Sequence, residues 1–403
     1  GMDDARIDGV DDVFWQGFTP NYGHRGQHHS QSGALPVLFR RHLGKVSVMW
    51  LFGRNIDLSL LFAPVWGIWL LLFFLPEDTL ELDIPLWLWV VCILMIDVAH
   101  VWSTIFRTYF DAEERQHHKQ LLGVAPIASF VLLFVIASES VDWFWRCLAY
   151  LALFHFIKQQ YGFFALYSAA TGARKVRRWL PDKWVVYGSM LFPVLYWHGH
   201  SRNFSWFVNG DFFQFETVGS SLWQWGIGLY WLVLLFWAVE ETYRVRKGEM
   251  SFSIGRGLWL FTTALNWYLG IVYFNSDMAF TLTNVVAHGV PYLVLIIGYQ
   301  NSKAPRRNWW QGSKAWKLSA VVVGGSLLFA FSEEYFWDLL WNQERAALFG
   351  EWLAYPQIEN PQTQALILAL LSLPQVVHYV LDGFIWKVND KNPDLKKWLR
   401  SHG

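Results

Sequence analysis

Ten apolar stretches recur along this 403-residue chain, at about residues 58–75, 84–106, 121–138, 143–167, 184–198, 222–239, 257–274, 278–300, 318–336 and 364–387. Some 20 helical residues cross a hydrocarbon core ~30 Å thick. Backbone in lipid has no water to bond, so each stretch must satisfy its own N–H and C=O groups, and a helix does so. The expected fold class is therefore all-α: a polytopic integral membrane protein, a bundle of about ten transmembrane helices. The fifth stretch is short and contains Pro193, so it is expected to tilt, kink or span only in part.

The loops test that count. Segments before the first stretch, after each even one and at the C-terminus hold 28 of the 32 Lys+Arg. The opposite loops are acidic or uncharged, with Glu77, Asp78, Glu81 and Asp83 in one group. The positive-inside rule then predicts both termini in the cytoplasm. The expected location is a bacterial inner (plasma) membrane.

Three regions follow. Residues 1–57 form a cytoplasmic N-terminal tail, residues 58–388 the transmembrane helical domain, and residues 389–403 a short basic cytoplasmic tail. Within the first, 34–54 mixes Leu35, Phe39, Leu43 and Trp50 with Arg40, Arg41 and Lys45. It reads either as an amphipathic helix lying in the interface or as a basic juxtamembrane linker. A further external loop covers 337–363, with a short helix around 338–349.

Composition narrows the partners. Only 16% of residues are charged, against ~25% in ordinary soluble domains. The 27 Trp suit membrane–water interfaces. A formal net charge of zero gives no reason to expect nucleic acid. The expected partners are membrane lipids, a hydrophobic small-molecule substrate and a redox partner. Cys92 and Cys147 both lie in apolar stretches, so neither a disulfide framework nor a cysteine-based zinc site is expected.

Against this apolar background four histidines stand out, each with a polar residue one helical turn away. They are His100 with Asp97, His155 with Gln159, His288 with Asn284, and His378 with Asp382. Spacings of three or four put each pair on one helix face. Polar groups inside lipid are costly and default to a functional assignment. The four fall in stretches two, four, eight and ten, which all run from outside to inside in the predicted topology. Each lies roughly 7–13 residues before its stretch's cytoplasmic end, or ~10–20 Å. Four parallel helices can thus bring four imidazoles near one plane. Imidazole ligates iron, copper, zinc and nickel. A ligating histidine usually donates its other N–H to a carboxylate or amide. Asp97, Gln159, Asn284 and Asp382 are expected in that role, with direct coordination by Asp97 or Asp382 as the alternative.

Other polar groups carry weaker expectations. Glu114, His117 and His118 read as a solvated, charge-paired helix end, with a ligand-supplying or lid role as the alternative. Arg107 reads as a candidate for lipid phosphate at the headgroups. Lys158 either snorkels to the interface or faces a cavity. Pro291 should free the carbonyl about four residues earlier, near Ala287, and Pro374 should act likewise before His378. His198 and His200 are expected in water, as are His24, His28 and His29. Glu333 and Glu334 read as interface charges.

Several chemistries are not indicated. The chain has no P-loop, no G-x-G-x-x-G after a strand, no H-E-x-x-H and no G-x-S-x-G. Membrane desaturases and hydroxylases carry several H-x-x-H-H boxes, of which this chain has one HH pair and lacks the rest. In site chemistry and architecture, but in no sequence motif, the pattern is similar to the intramembrane four-histidine iron sites of bacterial carotenoid-cleaving dioxygenases. The expected function is a membrane-embedded, metal-dependent oxidoreductase or oxygenase, with a transition metal, iron first, acting on a lipid, isoprenoid or carotenoid. The alternatives are a haem-binding membrane protein, with a pair such as His155 and His378 as axial ligands, and a transporter using a His/Asp proton relay.

Overall fold

The computed structural model describes residues 50–170, 173, 176–215, 220–303, 313–350, 356–387, 392 and 395. Among these residues every regular element is a helix. The fold is carried by α1 (Arg54–Phe74), α2 (Leu86–Arg107), α3 (Lys119–Glu139), α4 (Val141–Ala170) and α5 (Asp182–His198). It continues through α6 (Ser220–Arg246), α7 (Ile254–Trp267, prolonged by π turns Tyr268–Tyr273) and α8 (Asp277–Ser302). Last come α9 (Ser313–Trp337, prolonged by Asp338–Asn342) and α10, whose halves Pro361–Leu371 and Leu373–Ile385 meet at a 43° bend.

Every predicted stretch falls on one of these helices. Six of them, α1, α2, α3, α6, α8 and α9, are long and apolar enough to cross a membrane, and bent α10 makes seven. By length and composition the count of ten therefore contracts. The α5 helix has only 17 residues. The middle of α4 is interrupted by His155, Lys158, Gln159 and Gln160.

Local signals place the helix starts. Ser276 Oγ accepts from Ala279 N at the head of α8. Ser253 does the same for α7 through Arg256 N, and Asn360 for α10 through Thr363 N. Each satisfies a backbone donor that the helix itself leaves unpaired. The two prolines nearest the histidines act differently. Before Pro374 the α10 helix breaks at Ser372, because the ring clashes with the preceding turn. Pro291, in contrast, sits inside an unbroken α8.

The α8 helix is the axis of the bundle: 72% of its apolar window is buried, against 11% for peripheral α6. It packs on α1, α2, α7 and α9 and reaches α4. Exposed apolar residues such as Phe73, Ile127, Leu232 and Leu328 cover the outside. That is the surface expected where the solvent is hydrocarbon. In α2, π turns over Val90–Val98 run up to the segment that carries His100. Such wide turns often occur at functional sites.

The amphipathic segment up to Met49, the N-terminal histidines, Arg174, Lys175, Arg306 and Arg307 lie outside the described residues. So does most of the basic tail, although Asn392 and Leu395 are buried against the bundle.

Candidate metal centre

The four helices that carry the singled-out histidines converge. His100, His155, His288 and His378 are all buried, and one ring nitrogen of each lies within 4.8 Å of the other three. His288 Nε2 is 3.1 Å from His100 Nε2, and His378 Nε2 is 3.2 Å from His155 Nε2. Going round the site, ring centroids are separated by 4.6 Å (His100–His288), 5.0 Å (His288–His155), 4.7 Å (His155–His378) and 5.0 Å (His378–His100). Each ring stands edge-on to its two neighbours, so the imidazoles close a square with nitrogens pointing inward.

Close helix approach makes this possible. Gly289 sits beside His288, and a Cβ there would fall 2.7 Å from Ile96 Cγ2 and 3.4 Å from His100 Nδ1. Any side chain at 289 would force α8 away from α2 and open the square.

A hydrogen-bond chain sets the tautomer of one ring. Tyr292 OH donates to Asp382 Oδ1 at 2.6 Å. With its proton so used, Tyr292 accepts from Thr104 Oγ1 at 2.8 Å. Thr104 Oγ1 must then accept from His378 Nδ1, 2.7 Å away. The N–H of His378 is therefore on Nδ1, and its Nε2 presents a lone pair to the square. Asp382 Oδ2 also approaches His155 Nε2 to 3.9 Å. Aromatic rings close the site: Phe156 stacks on His288 at 3.6 Å and Tyr379 on His155 at 4.4 Å.

The expected orienting partners divide. Asp382 belongs to the chain just described. Asp97 Oδ1 lies 3.6 Å from His100 Nδ1, on the side of the ring away from the square. That is ion-pair reach but not a hydrogen bond. The other two do other work. Gln159 Nε2 donates to the backbone carbonyl of His288 (2.8 Å) rather than to His155. Its neighbour Gln160 Nε2 donates to Ala287 O at 3.0 Å. Ala287 O is the carbonyl that Pro291 leaves without its helical donor, so α4 repairs the gap in α8. Asn284 Nδ2 back-bonds to Phe280 O at 2.8 Å. Asn284 Oδ1 and His288 Nδ1 are both buried with no hydrogen-bond partner.

Thr104 and Tyr292 were missed from sequence. Both stand four residues after a histidine of the square, as do Gln159 and Asp382. The same i+4 rule applied to all four histidines names the whole layer beneath them.

Several lesser expectations are corrected. Glu114 and His118 are 4% and 8% exposed, not solvated, because the turn that carries them folds back under the bundle. His117 faces outward and joins no metal group. Arg107 is fully buried between Tyr299 and Trp386 rather than at the headgroups. His198 is buried too, with Tyr150 OH at 2.7 Å from its Nε2. Glu333 is half-buried and accepts from Trp102 Nε1 at 2.5 Å. Lys158, by contrast, takes the second of its two expected roles and lines a cleft beside the square.

The donor set fits a transition-metal ion. Bonds of ~2.1 Å to imidazole nitrogen place neighbouring ligand nitrogens about 3 Å apart and opposed ones about 4 Å apart. Two of the separations in the square, 3.1 and 3.2 Å, match the first, and all four nitrogens lie within 4.8 Å of one another. Comparison with protein-family models, curated proteins and solved structures finds no match to this chain.

Proposed function

We propose that this protein is a membrane-embedded, metal-dependent oxidoreductase with a non-haem iron centre and a lipid-soluble substrate. The same reading takes all ten helices as crossing a bacterial plasma membrane, with both termini in the cytoplasm. One observation carries it: four buried imidazole nitrogens point at a common space beside an apolar cleft that His155 and Asp382 also line.

His100, His155, His288 and His378 would hold the ion. Iron so held supplies one-electron chemistry with dioxygen. Thr104, Tyr292 and Asp382 keep the His378 proton on Nδ1. Phe156 and Tyr379 exclude water from the imidazole faces. Electrons come from the substrate or a redox partner. His155 Nε2 and His378 Nε2 stand 3.2 Å apart, closer than the ~4 Å between two axial nitrogens each ~2 Å from an iron, which favours a bare ion over haem.

Elemental analysis of detergent-purified protein tests this. About one iron per chain is expected in the wild type and under a tenth of that in the double variant His100→Ala/His378→Ala. No Soret band should appear, and oxygen uptake should depend on added lipid. Metal-free wild-type protein, or a Soret band, overturns the proposal.

A further inference from the structure

The cleft beside the square is small. It offers about 40 Å³ to water-sized molecules. One water takes ~10–15 Å³ of such space, so about three waters, or a single diatomic gas molecule, fill it. Pockets that enclose drug-sized ligands are larger by an order of magnitude, at ~300–1,000 Å³. An organic substrate cannot enter without displacing side chains, whereas a gas molecule can.

The lining decides between the small guests. Phe163, Leu166, Leu295 and Trp386 present apolar surface, and Gly162 adds no side chain at all. The polar residues around the space spend their donors elsewhere. Lys158 Nζ donates to Tyr187 OH at 3.1 Å, Gln159 Nε2 to His288 O at 2.8 Å, and Tyr292 OH to Asp382 Oδ1 at 2.6 Å. Gln159 Oε1 and Trp386 Nε1 lack partners but are themselves fully buried, so neither meets a molecule in the cleft. Asp382 Oδ2 stands 3.9 Å from His155 Nε2, at the end next to the square. Each enclosed water needs two to four polar partners, and these walls do not supply them for three. Small apolar cavities instead stay dry and accept apolar guests.

We infer that the cleft is a dioxygen site, which takes one apolar diatomic molecule beside His155 and is too small for the organic substrate. This rests on the proposed oxidoreductase reading for the use of the gas but not for its binding. Three helices form the site: α4 gives Gly162, Phe163 and Leu166, α8 gives Leu295, and α10 gives Asp382. Gly162 is the residue that leaves the room, because any side chain there would project from the wall into the space.

The test uses crystals of the full chain grown in lipid and pressurised with xenon, a heavy apolar probe of such cavities. An anomalous xenon peak should stand in the cleft, in contact with Gly162 and Leu295. Gly162→Leu, which fills the space from α4, and Leu295→Phe, which fills it from α8, should each cut xenon occupancy at least five-fold. Each should also raise, at least five-fold, the dioxygen concentration that half-saturates lipid-dependent oxygen uptake. No xenon peak in the wild type, ordered waters in its place, or an unchanged half-saturation in a variant that keeps its iron would overturn the inference. Xenon in the cleft of a protein that purifies without metal would leave the binding standing while sinking the oxidoreductase reading. Iron without xenon would do the reverse.

Discussion

At the scale of single residues, the centre depends on small hydroxyl groups more than on the conspicuous carboxylates. Thr104 is easily passed over in sequence although it stands one turn after His100, and its Oγ1 is the hydrogen-bond partner of His378 Nδ1. Partners of this kind typically change metal affinity 10–100-fold when removed. Thr104→Val keeps the shape and deletes the acceptor. The expected result is a 10–100-fold weaker hold on iron in chelator competition, with an unchanged unfolding midpoint for the metal-free protein. An unaltered affinity would mean that the Thr104–Tyr292–Asp382 chain does not orient His378. The same chain explains why Asp382 outranks Asn284, although both are one turn from a histidine. Asp382 meets a donor from another helix, whereas Asn284 spends its amide on its own helix.

At the scale of elements, the connection after α2 shows how polar ends hold apolar rods in place. Asp111 Oδ1 accepts from the backbone of Glu113 (3.0 Å) and Glu114 (3.1 Å) and so caps the short helix Ala112–His117. Its other oxygen takes the ammonium of Lys303, at the end of α8, at 2.7 Å. Burial opposes ionisation of Asp111, but these bonds outweigh it and hold the carboxyl below its usual 3.8. Lys303 is likewise pushed down by burial, yet ends well above its usual 10.5 because of Asp111 and its neighbours. A depressed carboxyl stabilises fully above pH 3.8 and loses that contribution as pH falls through its lower folded value. A raised ammonium stabilises fully below pH 10.5 and loses its share as pH climbs above that. Thermal unfolding in detergent should therefore show a plateau between these limits with a decline at each end. Asp111→Ala should cost about 1 kcal/mol on the plateau and flatten the acid-side decline. Identical pH profiles for variant and wild type would contradict this account.

At the scale of the whole molecule, the bundle is fastened away from the imidazole square by a buried ionic knot. Arg256 of α7, fully buried, pairs with Glu241 of α6 and with Asp182 of α5 (2.5 Å). Its Nε donates to Ser168 of α4 at 2.9 Å. One guanidinium thus ties four helices. Removing a single member of a buried ionic group strands the others without compensation, at about 3–5 kcal/mol. Arg256→Met should lower the unfolding midpoint sharply and reduce the yield of monodisperse protein in size-exclusion chromatography. Wild-type behaviour would show that Arg178, which also reaches Glu241 at 2.9 Å, suffices alone. The outer surface tells the same large-scale story in apolar terms. Exposed Trp87, Trp143 and Trp225 lie at the heads of α2, α4 and α6, and exposed Trp184 and Trp316 at the heads of α5 and α9. These are the positions where an amphipathic ring sits between lipid and water.

What the chain determined alone was what one-dimensional spacing can encode. Runs of apolar residues placed the helices, and three- and four-residue intervals placed polar groups on a common face with each histidine. Pro291 announced a carbonyl in need of a donor at Ala287, and that donor is Gln160. Tertiary structure decided everything that requires two helices at once. Sequence cannot say which face of α4 meets α8, so Gln159 read as a partner for His155 when it serves the backbone of His288. Nor can it distinguish a polar residue at a helix end that meets water from one folded under the bundle, as Glu114 and His118 are. Periodicity is a property of one helix, but a shared nitrogen-lined space is a property of four, and only their packing brought those nitrogens to within 4.8 Å.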